Sequence, residues 1–321
     1  MKVFASGWSG KVPRKLLWPE SVAVQELAGK HHRPPSFCKK KMEFQVPTSN
    51  GFSLAARIDP CISDTKGILI LCHGLLNTQD SHVCRSLAGQ LNSVVHVCRF
   101  DFRGNGNSGG ETSYGNYADE MEDVQSVVSY VNKEFRSRFG PVLGVVGHSK
   151  AASVVLMHAE TYAAGWVELY RSQKWLPVDF RWIAVALSGR FDMKVTPSSR
   201  FTMEQMHQLT TQGSFVWRQY ALRGNQVDYI IRQEDLDRRS ALDMKPTAAH
   251  VGKLLDRGMV KVLVVHGDAD QVIPVADAHA YIQELGPNNC KLRVLQGVDH
   301  FYRRDKDIAE IAQEIRKLVF E

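Results

Sequence analysis

The stretch Val142-Leu-Gly-Val-Val-Gly-His-Ser-Lys-Ala-Ala152 joins a short apolar run to an Ala-rich segment through a turn that carries Ser149. The apolar run predicts a β-strand, and the segment after the turn predicts a helix to about Ala163. Gly147 has no Cβ to obstruct a tight turn, and the small Ala151 lets the helix pack close to the strand. Such a turn would hold the Ser149 hydroxyl at a helix N-terminus, where unpaired N–H groups favour an anion.

The pattern Gly147-His-Ser-Lys-Ala151 is a G-x-S-x-A variant of the G-x-S-x-G sequence found around nucleophilic serines. A match of this length arises by chance in unrelated chains, so a second interpretation stays open, in which Ser149 only caps the helix. A serine hydroxyl is a poor nucleophile unless a histidine and an orienting carboxylate accompany it. The nucleophile interpretation therefore requires both groups elsewhere in the chain.

The composition, 44% hydrophobic and 23% charged over 321 residues, is typical of a globular protein of one large or two small domains. No apolar run approaches the length of a membrane span, and the first residues do not resemble a secretory signal. The six cysteines show no C-x-x-C spacing, and Cys72 and Cys98 lie in apolar runs. We therefore interpret all six as reduced thiols and expect a cytoplasmic location.

Positive charge is concentrated near the N-terminus. The net charge is +6, and residues 1–40 hold eight Lys or Arg and two Glu, so the remaining chain is formally neutral. A neutral body does not indicate a groove for nucleic acid. We interpret residues 1–40 as a flexible basic extension, and organelle targeting through it is the alternative to a cytoplasmic location, because no acidic residue precedes Glu20.

From residue 41 onwards, strand patterns alternate with helical ones. Residues 42–47 and 52–58 alternate around Ser49-Asn-Gly51, which predicts a β-hairpin. Apolar runs predict further strands at 67–72, 94–102, 182–188, 260–266 and 291–296, and helical spacing or position predicts helices at 81–92, 119–136, 275–285 and 306–320. Strands that alternate with helices predict a mostly parallel sheet covered by helices on both faces.

The alternation is interrupted between about residues 194 and 257. This interval contains scattered Met, Trp and Tyr and no strong strand pattern, so we predict an inserted helical cap over the sheet. The predicted organisation is thus an extension at 1–40 and one domain at 41–321 that includes the cap. Trp217 and Tyr220 could line a pocket in the cap, although aromatic residues at helical spacing more often belong to a core.

Three polar groups follow predicted strands, where the chemistry of a doubly wound sheet collects. Ser149 follows one strand, His266-Gly-Asp-Ala-Asp270 follows another, and Gln296-Gly-Val-Asp-His300 follows the last. The chain order serine, acid, histidine is the order found in one particular fold. Three matching groups at strand ends are far more specific than the serine motif alone.

On these residues the chain resembles the α/β-hydrolases, specifically the serine aminopeptidase-like or esterase-like hydrolases of plants and fungi. The resemblance covers about residues 42–320. It is carried by Phe100-Asp-Phe-Arg-Gly-Asn-Gly-Asn-Ser-Gly109, Tyr114-Gly-Asn-Tyr117, Gly147-His-Ser-Lys150, Leu187-Ser-Gly-Arg-Phe-Asp192 and His266-Gly-Asp-Ala-Asp-Gln-Val-Ile-Pro274. The resemblance implies an α/β-hydrolase fold and a serine hydrolase with a small-molecule ester or amide as its substrate. The leading hypothesis is a hydrolase of carboxylic esters, lipid esters and thioesters among them, that acts through an acyl-enzyme.

The same resemblance implies a role for each matching residue. Ser149 would be the nucleophile, Asp270 the triad acid and His300 the base, and the backbone N–H groups of Leu75 and Lys150 would form the oxyanion hole. Neither a cofactor nor a metal is expected, because the remaining histidines lack paired metal-ligand spacing. The chain departs from the family pattern at Ala151, where glycine is usual.

Several alternatives stay open from sequence. Asp268 competes with Asp270 as the acid. A serine aminopeptidase is a second candidate function, and it would need an acidic cluster in the cap to bind the free amine of its substrate. The candidates for that cluster are Glu204, Glu234 and Asp235. A ligand-binding protein that catalyses no reaction is an alternative of a different class. We expect three other histidines to bond backbone in turns, namely His73, His148 and His266, and we expect the Lys150 side chain to extend into solvent.

Overall fold

The computed structural model describes residues 41–320 except 64, 66, 196–199 and 287–289. Residues 1–40 lie outside the described part of the chain. The interpretation of that segment as a basic extension therefore stays a prediction. Among the described residues, no helix combines the length and the apolar character that a membrane span requires.

Ten β-strands lie in the described residues, and eight of them form one sheet in the order β1-β2-β4-β3-β5-β6-β9-β10. Strand β2 runs antiparallel to both of its neighbours, β1 and β4, and all other pairs in this sheet are parallel. Strands β3 and β6 are buried along their whole lengths, which explains their continuous apolar sequences. The strands are β1 (Met42–Pro47), β2 (Ser53–Asp59), β3 (Ile68–Cys72), β4 (His96–Phe100), β5 (Val142–His148), β6 (Trp182–Leu187), β7 (Ser214–Leu222), β8 (Asn225–Arg232), β9 (Val260–Gly267) and β10 (Lys291–Leu295).

Helices cover both faces of this sheet, as the alternating pattern predicted. Helices α1 and α9 pack on one face, and α2, α3, α4, α7 and α8 pack on the other. The α-helices of the described residues are α1 (His82–Leu91), α2 (Ala118–Phe139), α3 (Lys150–His158), α4 (Ala164–Ser172), α5 (Met203–Gln212), α6 (Gln233–Ala241), α7 (Met244–Asp256), α8 (Ala276–Leu285) and α9 (Asp305–Phe320).

The helix after Ser149 is longer than predicted. It was expected to end near Ala163, but a π-helical turn over Ala159–Ala163 connects α3 directly to α4. Gly165 lies inside the continued helix and does not end it. The Ala-rich pattern therefore identified the start of this element and not its end.

The prediction of a cap that is helical and lacks a strong strand was wrong in part. Between α5 and α6 the insertion forms an antiparallel hairpin of β7 and β8. The two connecting residues, Arg223 and Gly224, have φ values of 50° and 79°. Positive φ at both central residues is the geometry of a type I′ turn, which is favoured for two-residue hairpins. Arginine is uncommon at the first of these positions, so the turn is not evident from the sequence.

The hairpin tip docks on the loop after β4. The Tyr220 hydroxyl donates to the Gly104 carbonyl at 3.0 Å. The backbone N–H of Arg223 donates to the Gly106 carbonyl at 2.7 Å, and its side chain donates to the Ser108 carbonyl. These bonds join the cap to the body through main-chain oxygens.

Candidate active site

Ser149 lies between β5 and α3 with φ 59° and ψ −118°, an unusual conformation for a residue with a side chain. A Cβ at Gly147 would lie 2.5 Å from the carbonyl carbon of Ala151, so only glycine fits beneath this turn. The Ser149 side chain makes no capping hydrogen bond to α3. The interpretation of this serine as a simple helix cap is therefore wrong.

The structure brings Ser149, His300 and Asp270 together. His300 follows β10 and is buried, and its Nε2 lies 2.9 Å from the Ser149 Oγ. Its Nδ1 lies 2.6 Å from Asp270 Oδ2. Because an ionised carboxylate only accepts hydrogen bonds, Nδ1–H donates to Asp270, and Nε2 is free to accept from the serine hydroxyl.

Asp270 is held as a carboxylate. Its Oδ1 accepts from the backbone N–H groups of Val272 and Ile273, both at 2.8 Å. Burial by itself would raise the pKa of Asp270, but hydrogen bonds from His266 and His300 outweigh burial and hold the pKa below its ordinary value. Asp268, the competing acid, accepts from the Gly297 backbone N–H and is exposed.

The three histidines expected to bond backbone do so. The His148 Nε2 lies 2.8 Å from the carbonyl oxygen of His300, and the His266 Nε2 lies 2.9 Å from that of Ile273. His73 binds the Gly74 carbonyl through Nδ1 and accepts from the Phe102 N–H through Nε2. Burial lowers the pKa of His148 to about 3, so this ring stays neutral where it supports the His300 loop.

The Lys150 side chain does not extend into solvent, so that prediction was wrong. It is buried and donates to Glu120 Oε1 at 2.7 Å and to the Ser113 carbonyl at 2.8 Å. Glu120 comes from the first turn of α2, which no local pattern around Ser149 could reveal. Burial raises the pKa of Glu120, while the charge of Lys150 acts in the opposite direction. The pair connects the start of α2 to the start of α3.

Leu75 and Lys150 both line the pocket that contains Ser149. Lys150 is the first residue of α3, a position whose N–H has no acceptor within the helix. Among the described residues, the backbone N–H of Leu75 makes no hydrogen bond. Both N–H groups are thus available to an oxygen of a bound molecule.

The same pocket is strongly basic, which the sequence did not reveal. Its cavity volume is small, about 30 Å³, and its described lining holds four basic residues and no acidic one. These four residues, which we call the basic pocket, are Lys150, Arg190, Arg200 and Arg239. Arg190 follows β6, Arg200 precedes α5 and Arg239 lies on α6, so they converge from distant parts of the chain. Among the described residues, no group of three or more His, Cys, Asp or Glu side chains is arranged to hold a metal.

Comparison with known proteins agrees with the fold. Residues 63–307 match the model of the hydrolase family described as serine aminopeptidase, S33. The chain belongs to this family. Membership makes the protein a serine hydrolase, consistent with the resemblance seen in the sequence. A search of curated proteins found no match.

Solved structures of the same fold are similar over most of the chain. Est1E from Butyrivibrio proteoclasticus, solved with ferulic acid, aligns with a TM-score of 0.62 and 18% identity over 87% of this chain and 100% of its own. The Pyrococcus furiosus esterase Pf2001 aligns with a TM-score of 0.59 and 15% identity over 87% of this chain and 91% of its own. XC6422 from Xanthomonas campestris, described as a serine hydrolase without lid, aligns with a TM-score of 0.51 and 17% identity over 88% of this chain and 97% of its own. At these identities the likeness establishes the α/β-hydrolase fold alone.

Proposed function

We propose that the protein hydrolyses carboxylic esters of small molecules through an acyl-enzyme, with Ser149 as nucleophile, His300 as base and Asp270 as the triad acid. The observation that supports this most is the placement of the His300 ring, whose two nitrogens lie 2.9 Å from the Ser149 hydroxyl and 2.6 Å from the Asp270 carboxylate. Asp268 is disfavoured as the acid because its carboxylate contacts Gly297.

In this mechanism the Ser149 Oγ attacks the ester carbonyl carbon as His300 Nε2 takes the hydroxyl proton. Asp270 holds the ring with Nδ1 protonated and stabilises the imidazolium that forms. The tetrahedral intermediate collapses when the C–O bond to the alcohol breaks, and the imidazolium gives its proton to the departing oxygen. Water then cleaves the acyl-enzyme by the same proton transfers, which releases the acid and regenerates Ser149.

The backbone N–H groups of Leu75 and Lys150 would stabilise the negative oxygen of the tetrahedral intermediate. Both residues line the pocket with Ser149, and neither N–H is committed within the described structure. The loss of one such donor typically raises the barrier by about 2.7–4 kcal/mol. The positive end of α3 adds to the same effect.

The charges around Ser149 favour ester hydrolysis over an aminopeptidase activity. A free amine is cationic, and the described lining of the pocket carries no carboxylate to bind it. Of the three candidate acids in the cap, Glu204 and Glu234 are exposed, and Asp235 is buried as an acceptor for Ser113 and for the Arg232 N–H. The basic pocket would repel an ammonium group.

Active-site labelling tests the assignment. A fluorophosphonate probe should label the wild-type protein and not Ser149→Ala, whose folding is checked by its melting temperature. Wild type should cleave 4-nitrophenyl acetate or butyrate, and aminoacyl 4-nitroanilides should be poor substrates. Equal labelling of both proteins would refute Ser149 as the nucleophile. A folded wild type that neither reacts with the probe nor cleaves any ester would favour the non-catalytic binding alternative.

A further inference from the structure

We propose that the basic pocket binds an anionic group of the substrate, so that the natural ester carries a carboxylate or a phosphate. That the anion belongs to an ester substrate rests on the ester hydrolysis proposed above, whereas anion binding itself does not. Four basic residues line the pocket together with Ser149, and no acidic residue is among the described residues that line it. An anion in this pocket would lie beside the ester that Ser149 attacks.

The positive charge of Lys150, Arg190 and Arg200 is only partly neutralised within the described structure. Lys150 is paired with Glu120 at 2.7 Å, but Arg190 lies 3.8 Å from its nearest carboxylate, that of Asp277. Arg200 forms no ion pair among the described residues, and its Nη1 donates to the Tyr114 hydroxyl at 2.9 Å. A hydroxyl group satisfies an N–H donor without neutralising its charge.

The burial of this charge makes an anion favourable there. Arg190 and Arg239 are buried, and Arg200 is partly buried. Burial lowers the pKa of Arg190, and the charges of Arg239 and Arg200 lower it further, although Asp277 opposes them. An incoming oxyanion would relieve this repulsion, and charge-assisted hydrogen bonds are stronger among buried groups than in water.

The arginines are also held in fixed positions, which favours binding of a defined group. The Arg190 guanidinium donates to the Val272 carbonyl at 2.6 Å, and the Arg190 carbonyl accepts from the Tyr281 hydroxyl at 2.6 Å and from Ser153 at 3.0 Å. Arg239 donates to the Met193 carbonyl at 2.6 Å. Planar guanidinium groups match the geometry of carboxylate and phosphate oxygens. The contact of Arg239 also joins the cap to the residue that precedes it, so the test must separate binding from structure.

The first experiment measures binding without turnover. Succinate and inorganic phosphate are titrated by calorimetry at low ionic strength into Ser149→Ala, with succinamide as the neutral comparison. We expect succinate or phosphate to bind and succinamide not to bind, and the preference between the two anions identifies the group. Added salt should weaken the binding because it screens charge. Equal behaviour of the anions and succinamide would overturn the inference even if ester hydrolysis is established.

The second experiment measures preference in catalysis. For an anion on the alcohol side of the ester, 4-acetoxybenzoate and 4-acetoxyphenyl phosphate are compared with the neutral 4-acetoxybenzamide. For an anion on the acyl side, the 4-nitrophenyl monoester of adipic acid is compared with the neutral 4-nitrophenyl hexanoate. At least one anionic ester should exceed its neutral partner in kcat/KM by about tenfold or more, the effect of one charge-assisted hydrogen bond. Ratios near one in every pair, with the neutral esters cleaved, would overturn the inference and leave ester hydrolysis intact.

Variants separate a binding role from a structural one. Arg200→Gln should lower the anionic-to-neutral ratio of kcat/KM by about tenfold, whereas Arg200→Lys should keep most of it because the charge remains. The matched control is Arg218→Gln, since Arg218 lies on the same cap, stacks on Trp217 at 3.7 Å and is exposed outside the pocket. An equal loss in Arg200→Gln and Arg218→Gln would refute a specific role for Arg200. If anions bind but no ester is cleaved, the proposed hydrolysis fails and the anion site stands.

Discussion

Removal of one partner of the buried Lys150–Glu120 pair should destabilise the protein strongly. The two side chains are 5% and 6% exposed, and their charged atoms lie 2.7 Å apart. Glu120→Gln keeps the shape of the side chain and removes its charge, which leaves the Lys150 ammonium without a carboxylate partner. The amide oxygen of the new side chain can still accept a hydrogen bond, and the Ser113 carbonyl and the face of Tyr117, whose ring centre lies 5.0 Å away, are unchanged. An uncompensated buried charge costs about 3–5 kcal/mol, and we expect the lower end because both neutral contacts remain.

The opposite change should behave differently with pH. In Lys150→Met the carboxyl of Glu120 loses its partner, and burial already raises the pKa of this group. A carboxyl group with a raised pKa in the folded state is protonated there at a pH where the unfolded chain is ionised. The destabilisation of Lys150→Met should therefore be greatest well above the raised pKa and should diminish as the pH falls toward about 4.5.

Urea unfolding at pH 7.5 measures the free energy of unfolding of the two single variants, the double variant and wild type. A loss of about 3 kcal/mol should lower the melting temperature by roughly 6–12 °C in a domain of this size. The control is Glu134→Gln, which breaks the exposed Lys133–Glu134 pair on the same helix and should cost less than about 1 kcal/mol. If Glu120→Gln costs no more than Glu134→Gln, or if the double variant shows no coupling, the pair does not stabilise the junction of α2 and α3 as we argue.

Three further results are expected. Asp270→Asn should lower kcat for ester hydrolysis by about 10⁴-fold while Asp268→Asn stays within about tenfold of wild type, and equal losses would contradict the choice of acid. Gly147→Ala should destabilise by about 1–3 kcal/mol and impair ester hydrolysis because its Cβ meets the Ala151 main chain, and an unchanged melting temperature and rate would refute this. Burial lowers the pKa of His158 to about 3, so the unfolded chain binds a proton below pH 6.5 that the folded chain does not. As the pH falls from 7.5 to 5.5, this residue should reduce the free energy of unfolding by about 1.4 kcal/mol. In urea titrations of His158→Phe, the decrease over the same pH range should be smaller by that amount. The same pH dependence in both proteins would exclude His158 as its source.

The sequence predicted the parts of the site that lie at strand ends. Ser149, Asp270 and His300 each follow a strand of the sheet. Because the carboxyl ends of parallel strands lie at the same edge, their positions in the sequence were enough to place them near one another. The basic pocket was not predictable, because Arg190, Arg200 and Arg239 converge through the docking of the cap and no local spacing encodes that. The buried position of Lys150 depends in the same way on a glutamate from another helix.

The hairpin of the cap was missed for a local reason. Strand β7 mixes buried and exposed residues without clean alternation, so its period of two is weak. Two-residue hairpin turns of this type usually have the sequence Asn-Gly or Asp-Gly. Because the chain has arginine at position 223, the turn at Arg223 and Gly224 was not recognised from the sequence. A two-residue connection ending in glycine between runs of aromatic and β-branched residues was the signal available in the sequence.

The hydrogen bonds at the hairpin tip have a consequence for how the family can diversify. The body contributes only main-chain oxygens, those of Gly104, Gly106 and Ser108, to the bonds from Tyr220 and Arg223. Every polypeptide carries such oxygens, so the side chains of that loop can change without loss of the joint, provided that the positive φ angles of its glycines persist. The insertion is in this respect a replaceable module, and a chimera that receives a different one needs to reproduce the shape of a loop rather than its sequence.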